Sequence, residues 1–219
     1  MSLSVVIPAL NAAAHLPACI AALTGADEIL VVDGGSIDGT PDIAASLGAR
    51  LVESSRGRGL QLAAGAAAAR GDWLLFLHSD TVLGAGWLEA ARRHVAERRD
   101  QAAVFAFRLD DPAWQARLIE GGVALRGRLL ALPYGDQGLL MSRRLYEEVG
   151  GFRALPLMED VDLIRRIGRK RLRTLNVSAT TSAERWRRDG WWRRSLRNLS
   201  CLALYGLGAS PERIARRYG

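Results

Sequence analysis

The chain has 219 residues, 49% hydrophobic and 24% charged, which is enough apolar material for one full core and too much for a disordered segment. Its two cysteines, Cys19 and Cys201, stand far apart in apolar surroundings; they point to neither a disulfide framework nor a CxxC metal site, and each reads as a small core hydrophobe. The net charge of +7 is uneven: residues 1–164 hold 15 arginines against 20 Asp and Glu (net −5), and residues 165–219 hold 15 Arg and Lys against 3 acids (net +12). A basic tail suits anionic lipid, a phosphorylated substrate or nucleic acid, or is simply a solvated face, and composition does not choose among these. The start, MSLSVVIPAL, shows no basic leader or cleavage site, and no apolar run reaches the roughly 18 residues of a membrane span. A cytoplasmic, reducing location is the expectation.

In chain order, strand and helix alternate. Residues 3–8 form a short apolar strand, and 15–23 carry apolar residues at helical spacing until Gly25. Residues 28–33, EILVVD, repeat the strand pattern. GGSIDGT follows, with Gly34, Gly35 and Gly39 for conformational freedom and Thr40-Pro41 to start a helix reaching about Leu47. Residues 50–53 are a third strand, and 58–70 an alanine-rich helix entered through SSRGRG. The next stretch, DWLLFLHSD at 72–80, is a continuous apolar run ending in His78, Ser79 and Asp80, which predicts a buried parallel strand with a carboxylate at its carboxyl end. In an open α/β sheet the ligand crevice lies outside those ends, so Asp80 faces a small molecule; the simpler alternative is a cap for the next helix. This βαβαβαβ order implies right-handed crossovers and an α/β fold with a Rossmann-like, mostly parallel sheet flanked by helices.

No GxGxxG spacing and no Walker lysine accompany these strands. A nucleotide could still be held by Asp33, since a strand-end carboxylate accepts hydrogen bonds from a base imide or ribose hydroxyls. The second half is organised differently: a helix over 87–99, an alternating strand over 103–109, a helix over 114–130, the loop LPYGDQG, a short apolar segment at 138–141 and a helix over 143–149. Glu159 and Asp160 then open the helix VDLIRRIG. Acids in a first turn are stabilised by the macrodipole, so capping is the simple reading of this pair.

Taken together, VVIPALN at 5–11, VVDGGSIDGT at 31–40, RGRGLQLAAGAAAARGDWLLFLHSDT at 56–81 and MEDVDL at 158–163 resemble the family 2 glycosyltransferases of GT-A fold, over about residues 3–186. FLHSDT, YGDQG and the Arg- and Trp-rich ending look like the small bacterial selenodomain-associated or arsenosugar-biosynthesis type within that family. The resemblance implies a nucleotide site at Pro8, Ala9, Asn11, Asp33, Arg58, Ser79 and Asp80, with Asp33 on a uracil and Asp80 binding a divalent metal, Mn²⁺ or Mg²⁺. It implies Asp160 as catalytic base, and Asp136, Gln137, Glu159, Arg185 and Trp186 near the sugar or acceptor. Departures are visible. The usual DxD reads His78-Ser79-Asp80, which leaves one carboxylate, although Mg²⁺ and Mn²⁺ complete their shells from diphosphate and water. Ala63 stands where close relatives often carry asparagine. Ser182 stands where the QxxRW motif of processive synthases has glutamine, which argues against polymer synthesis. His78 reads as a partly buried polar residue and not a ligand.

The implied activity is inverting transfer of a sugar from a nucleotide diphosphate, a UDP-sugar, to a hydroxyl acceptor. The transition state is oxocarbenium-like, a cation neutralises the leaving diphosphate, and a carboxylate takes the acceptor proton. Two rivals are a nucleotidyltransferase, which should carry a Gly-rich basic loop where ALNAAAHLP stands, and a catalytically silent sugar-nucleotide-binding or membrane-docking module. The division expected is a transferase domain over 1–186 and a basic helical extension over 187–219. In that extension Trp192, Leu196, Leu199 and Ala203 recur at helical spacing with Arg193, Arg194 and Arg197 opposite. The stripe docks on the domain, on a second copy in a homodimer, or on an anionic membrane surface at its inner face, where lipid-linked acceptors reside. No nucleic acid is expected as a partner.

Overall fold

In the computed structural model, which describes residues 2–130 and 135–218, one eight-stranded sheet organises the chain. Strands β1 (Leu3–Ala9), β2 (Glu28–Asp33), β3 (Arg50–Glu53) and β4 (Trp73–Phe76) lie parallel in the order β3-β2-β1-β4, linked by α1 (Leu16–Ala21), α2 (Thr40–Ser46) and α3 (Arg58–Ala68). Covered on both faces, β1 and β4 are buried along their whole length, which is why they read as unbroken apolar runs. Side chains alternate between the two layers: Val5, Ile7 and Leu75 enter one core cluster, Val6, Leu74 and Phe76 the other.

The second half adds β5 (Thr81–Leu83), α4 (Trp87–Glu97), β6 (Ala102–Leu109), α5 (Trp114–Leu130), β7 (Leu139–Ser142), α6 (Arg143–Glu148), α7 (Glu159–Ile167) and β8 (Leu172–Thr181). Helices α8 (Glu184–Asp189), α9 (Trp191–Gly206) and α10 (Pro211–Tyr218) close the described chain. Here the sheet is mixed. β7 runs antiparallel to both β4 and β6, β8 is parallel to β6, and β5 is antiparallel to β8 at the far edge. The α/β expectation therefore holds, with a parallel half joined to a mixed half.

Three departures from the sequence reading bear on the site. The fourth strand ends at Phe76, short of Asp80, because the Thr81 N–H turns back onto the His78 carbonyl at 3.1 Å. Asp80 therefore sits on a turn. That turn is pinned across the sheet, where Ser182 N donates to Asp80 O (3.1 Å) and the Thr81 and Thr181 hydroxyls share a 2.8 Å hydrogen bond. The second departure is β8 together with β5, which the sequence reading lacked. The third is the separate helix α10, which with α9 packs Cys201 and Ile214 against Met158 and Val161 at the start of α7.

Candidate active site

The loops at the carboxyl ends of β1 and β2 are tied together by side chains. Asp33 accepts from the N–H groups of Gly35 and Ser36, both at 2.9 Å, and from Ser36 Oγ. Ser36 Oγ in turn accepts from Asn11 N (2.9 Å), Asn11 Oδ1 from Ile37 N (3.0 Å), and Asp38 from Ala13 N (3.0 Å). Asn11 is held in the left-handed region at φ 51, which asparagine tolerates. Beneath them the buried Gln61 donates its amide to Ala9 O (2.7 Å) and Val32 O (2.8 Å), bracing the two strand ends. Pro8 and Ala9 lie on β1 with Ala9 beside Asp33 in register. Pro8, Ala9, Asn11 and Asp33 are thus brought to one edge. The hydrogen bonds Asp33 makes are with its own loop, so its first task is to shape that loop.

Next to this edge lies a cavity of about 100 Å³, several times the space of one water. Arg58, His78, Asp80, Asp136, Asp160, Thr181, Ser182, Arg185 and Trp186 line it, together with Leu157 and Met158 before α7 and Arg194, Asn198 and Cys201 from α9. Six of the thirteen site residues named from sequence converge here. Ser79 is on the same turn as Asp80, and Glu159 stands one residue from Asp160 in the first turn of α7. Gln137 does not line this cavity. Its amide donates inward to Phe105 O at 3.1 Å, which turns it from the sugar-facing role its loop suggested. Residues 132–134 of that loop lie outside the described residues.

The electrostatics follow from burial. Glu159 is 1% exposed; burial raises its carboxyl, and the ion pair with Arg58 opposes that rise. Asp136 is pushed up to about 7, chiefly by burial and further by the Asp160 and Asp80 charges, while Arg126 and Arg58 pull the other way. Its Oδ1 is buried without a hydrogen-bond partner. His78 is held well below its ordinary value by burial and by the Arg58 and Arg185 charges, so it stands here as neutral imidazole. Burial likewise lifts the Cys19 thiol to about 12, leaving it an inert core group. Trp186 is buried against Phe107, with ring centroids 6.4 Å apart, and also lines the cavity.

Sequence reasoning missed Gln61, Met158 and Arg194. Gln61 lay inside an alanine-rich helix with nothing local to mark it as a brace. Met158 is the N-cap of α7 at φ 66, a strained value for a non-glycine residue directly before the acidic pair. Arg194 appeared on the polar side of a surface helix, yet it is 7% exposed and paired with Asp189 at 3.0 Å. Of the alternatives for the apolar stripe of α9, docking on the domain is corrected, since Trp192, Leu196 and Leu199 stay exposed and the side carrying Arg194 turns inward. A polar cavity lies under α9, so Arg194, Asn198 and Cys201 turn inward and the apolar stripe faces out.

The family described as glycosyl transferase family 2 matches residues 4–154, more than half of the chain. The chain belongs to this family. Among other relatives, glycosyltransferases of PGL/p-HBAD biosynthesis from Mycobacterium bovis and Mycobacterium tuberculosis are 42% identical, over 36% of this chain and 36% of theirs. The chain thus spans about a third of the length of these curated relatives. Glucosyl-3-phosphoglycerate synthase of M. tuberculosis shares the fold. Its complex with Mn²⁺ and UDP-glucose superposes with a TM-score of 0.61 at 22% identity, covering 82% of this chain and 71% of that one. Its complex with Mg²⁺ and UDP gives 0.59 at 22%, covering 81% and 69%. Within this family's fold, the site occupies the carboxyl edge of the parallel half.

Proposed function

We propose that the protein is an inverting glycosyltransferase that moves a sugar from a UDP-sugar to a hydroxyl acceptor with Mn²⁺ or Mg²⁺. The convergence of Asp80, Asp136 and Asp160 with Arg58 and Arg185 on one cavity carries this reading. The metal- and UDP-bound complexes of the synthase with the same fold support it. Among the described residues no three His, Cys, Asp or Glu side chains gather as a self-sufficient metal site. A cation shared with a diphosphate fits the residues present, because the donor and water complete its shell, and the orphaned Asp136 Oδ1 is an oxygen in want of a partner. Asp80, with Asp136 beside it, would hold that ion, which neutralises charge on the departing diphosphate.

The chain's own groups do the rest. Arg58 and Arg185 put fixed positive charge on the cavity wall, where negative charge develops on the leaving group. Neutral His78 adds a polar contact without adding charge. Asp160 is oriented by the Val161 N–H on its Oδ1 (2.7 Å) and takes the proton of the acceptor hydroxyl as the new bond forms. One direct displacement inverts the anomeric centre. Placement in the selenodomain-associated type rests on FLHSDT and YGDQG, and the acceptor class rests on this reading as well.

UDP release across a panel of UDP-sugars, with Mn²⁺, with Mg²⁺ and with chelator, tests the donor and the cation together. Asp160→Asn should keep UDP affinity near that of the parent and lower transfer by about 10²-fold or more. Parent-like transfer by this variant would remove Asp160 from the role.

A further inference from the structure

Two helices share an exposed apolar face outside the cavity. On α5, Trp114, Leu118 and Leu125 are 61%, 55% and 57% exposed; on α9, Trp192, Leu196 and Leu199 are 51%, 66% and 52% exposed. Each set falls on one side of its helix by spacing. The Trp114 and Trp192 ring centroids are 5.9 Å apart, so the two stripes meet. Scattered apolar side chains are ordinary on a surface, but a contiguous patch from two helices marks a face that something covers.

Charge decides what covers it. Beside this face Arg117 of α5 and Arg193 of α9 are exposed and Arg197 is half-buried, whereas Arg194 turns inward and Glu120, the one acid of the two helices, is buried. A second copy related by a two-fold axis would bring this cationic set onto itself, whereas acidic lipid supplies the opposite sign. Tryptophan and leucine beside arginine suit the boundary between headgroups and acyl chains. Among the described residues no helix is long and apolar enough to cross a membrane, so the contact suits a helix pair lying on the surface. We propose that the face formed by α5 and α9 docks on an anionic lipid bilayer, with Trp114, Trp192, Leu196 and Leu199 entering the headgroup region and arginines of the two helices meeting lipid phosphate. The opposite side of α9 carries Arg194, Asn198 and Cys201 to the cavity, so docking holds the site one helix away from lipid. The proposal stands apart from catalysis and does not need the transferase reading.

Cosedimentation with vesicles of phosphatidylglycerol and phosphatidylcholine, against phosphatidylcholine alone at low salt, is the test. The full chain should bind the acidic vesicles and leave the neutral ones. The exposed triple variant Trp192→Ser, Leu196→Ser, Leu199→Ser should bind about tenfold more weakly, a factor worth about 1.4 kcal/mol, with an unchanged melting temperature. Leu118→Ser with Leu125→Ser probes the α5 half by the same readout, should α9 not tolerate three changes. Three results overturn the proposal. They are no binding to acidic vesicles, both variants binding like the parent, or a parent dimer in light scattering that the variants convert to monomer, which would assign the face to a second copy.

Discussion

Asp136 and Asp80 reach the same cavity, but burial makes them chemically unlike. Because Asp136 is raised to about 7 from 3.8, the folded protein keeps that proton where the unfolded chain has released it. Below about pH 4 both states are protonated and the shift has no effect; as pH rises toward 7 the unfolded state gains, so this residue costs stability that is fully felt above pH 7. Asp136→Asn should therefore melt several degrees above the parent near pH 8, each ~1 kcal/mol being worth about 2–4 °C in a chain of this size. The two proteins should melt alike near pH 4, and calorimetry that found a pH-independent difference would discard the assignment. On the proposed function Asp80, with Asp136 beside it, holds the cation. Asp80→Asn should weaken UDP binding in the presence of Mn²⁺ and leave binding in chelator unchanged, as read by titration calorimetry; parent affinity for UDP that is indifferent to metal would contradict that role. Met158 belongs to this scale too. Its left-handed backbone costs on the order of 1–3 kcal/mol, and packing against Val161, Cys201 and Ile214 offsets it while presenting Glu159 and Asp160.

Helix α3 shows how one element links the sheet to the chemistry. A Cβ at Gly65 would stand 2.3 Å from Val6 Cγ1 and 2.7 Å from Val32 Cγ2, so the helix lies directly on β1 and β2. A Cβ at Gly59 would meet the Arg153 carbonyl at 2.4 Å, next to the Arg58 that pairs with Glu159. The two glycines should separate stability from activity. Gly65→Ala overpacks the core and should lose about 1–3 kcal/mol in urea unfolding with the site intact. Gly59→Ala displaces the 153–155 loop and should lower transfer more than stability. If both variants lost activity in proportion to stability, α3 would have no separate hold on the site.

At the scale of the molecule, α8 and α9 form part of the cavity wall and α10 packs behind it. Tyr205 donates toward Asp162 Oδ1 at 3.4 Å and lies under Arg165, 5.4 Å from its ring centre, while Ile214 is 1% exposed beside Met158. Truncating Ile214 to alanine should cost about 2–5 kcal/mol, the usual range for an aliphatic side chain removed from a core. Loosening α10 should also lower transfer at temperatures where the fold persists, since Met158 loses its packing. Unaltered turnover in a destabilised Ile214→Ala protein would mean that α9 and α10 brace the fold alone.

The parallel half was legible because its information is local. β2 and β3 begin and end where their residues indicate, since an apolar run ending in a carboxylate carries both its burial and its stop. The acidic pair at Glu159 and Asp160, and the motif order that places the chain in its family, were also written in the sequence. β5 and β8 were not. Three residues hold too little pattern, and β8 is largely exposed along its first half because β5 covers only its end, so its alternation is broken. The inward side of α9 was decided by tertiary structure alone. A periodic stripe tells that a helix has two faces, but which face turns inward depends on what lies beneath, and a polar cavity beneath α9 draws Arg194 in and leaves Trp192, Leu196 and Leu199 outside.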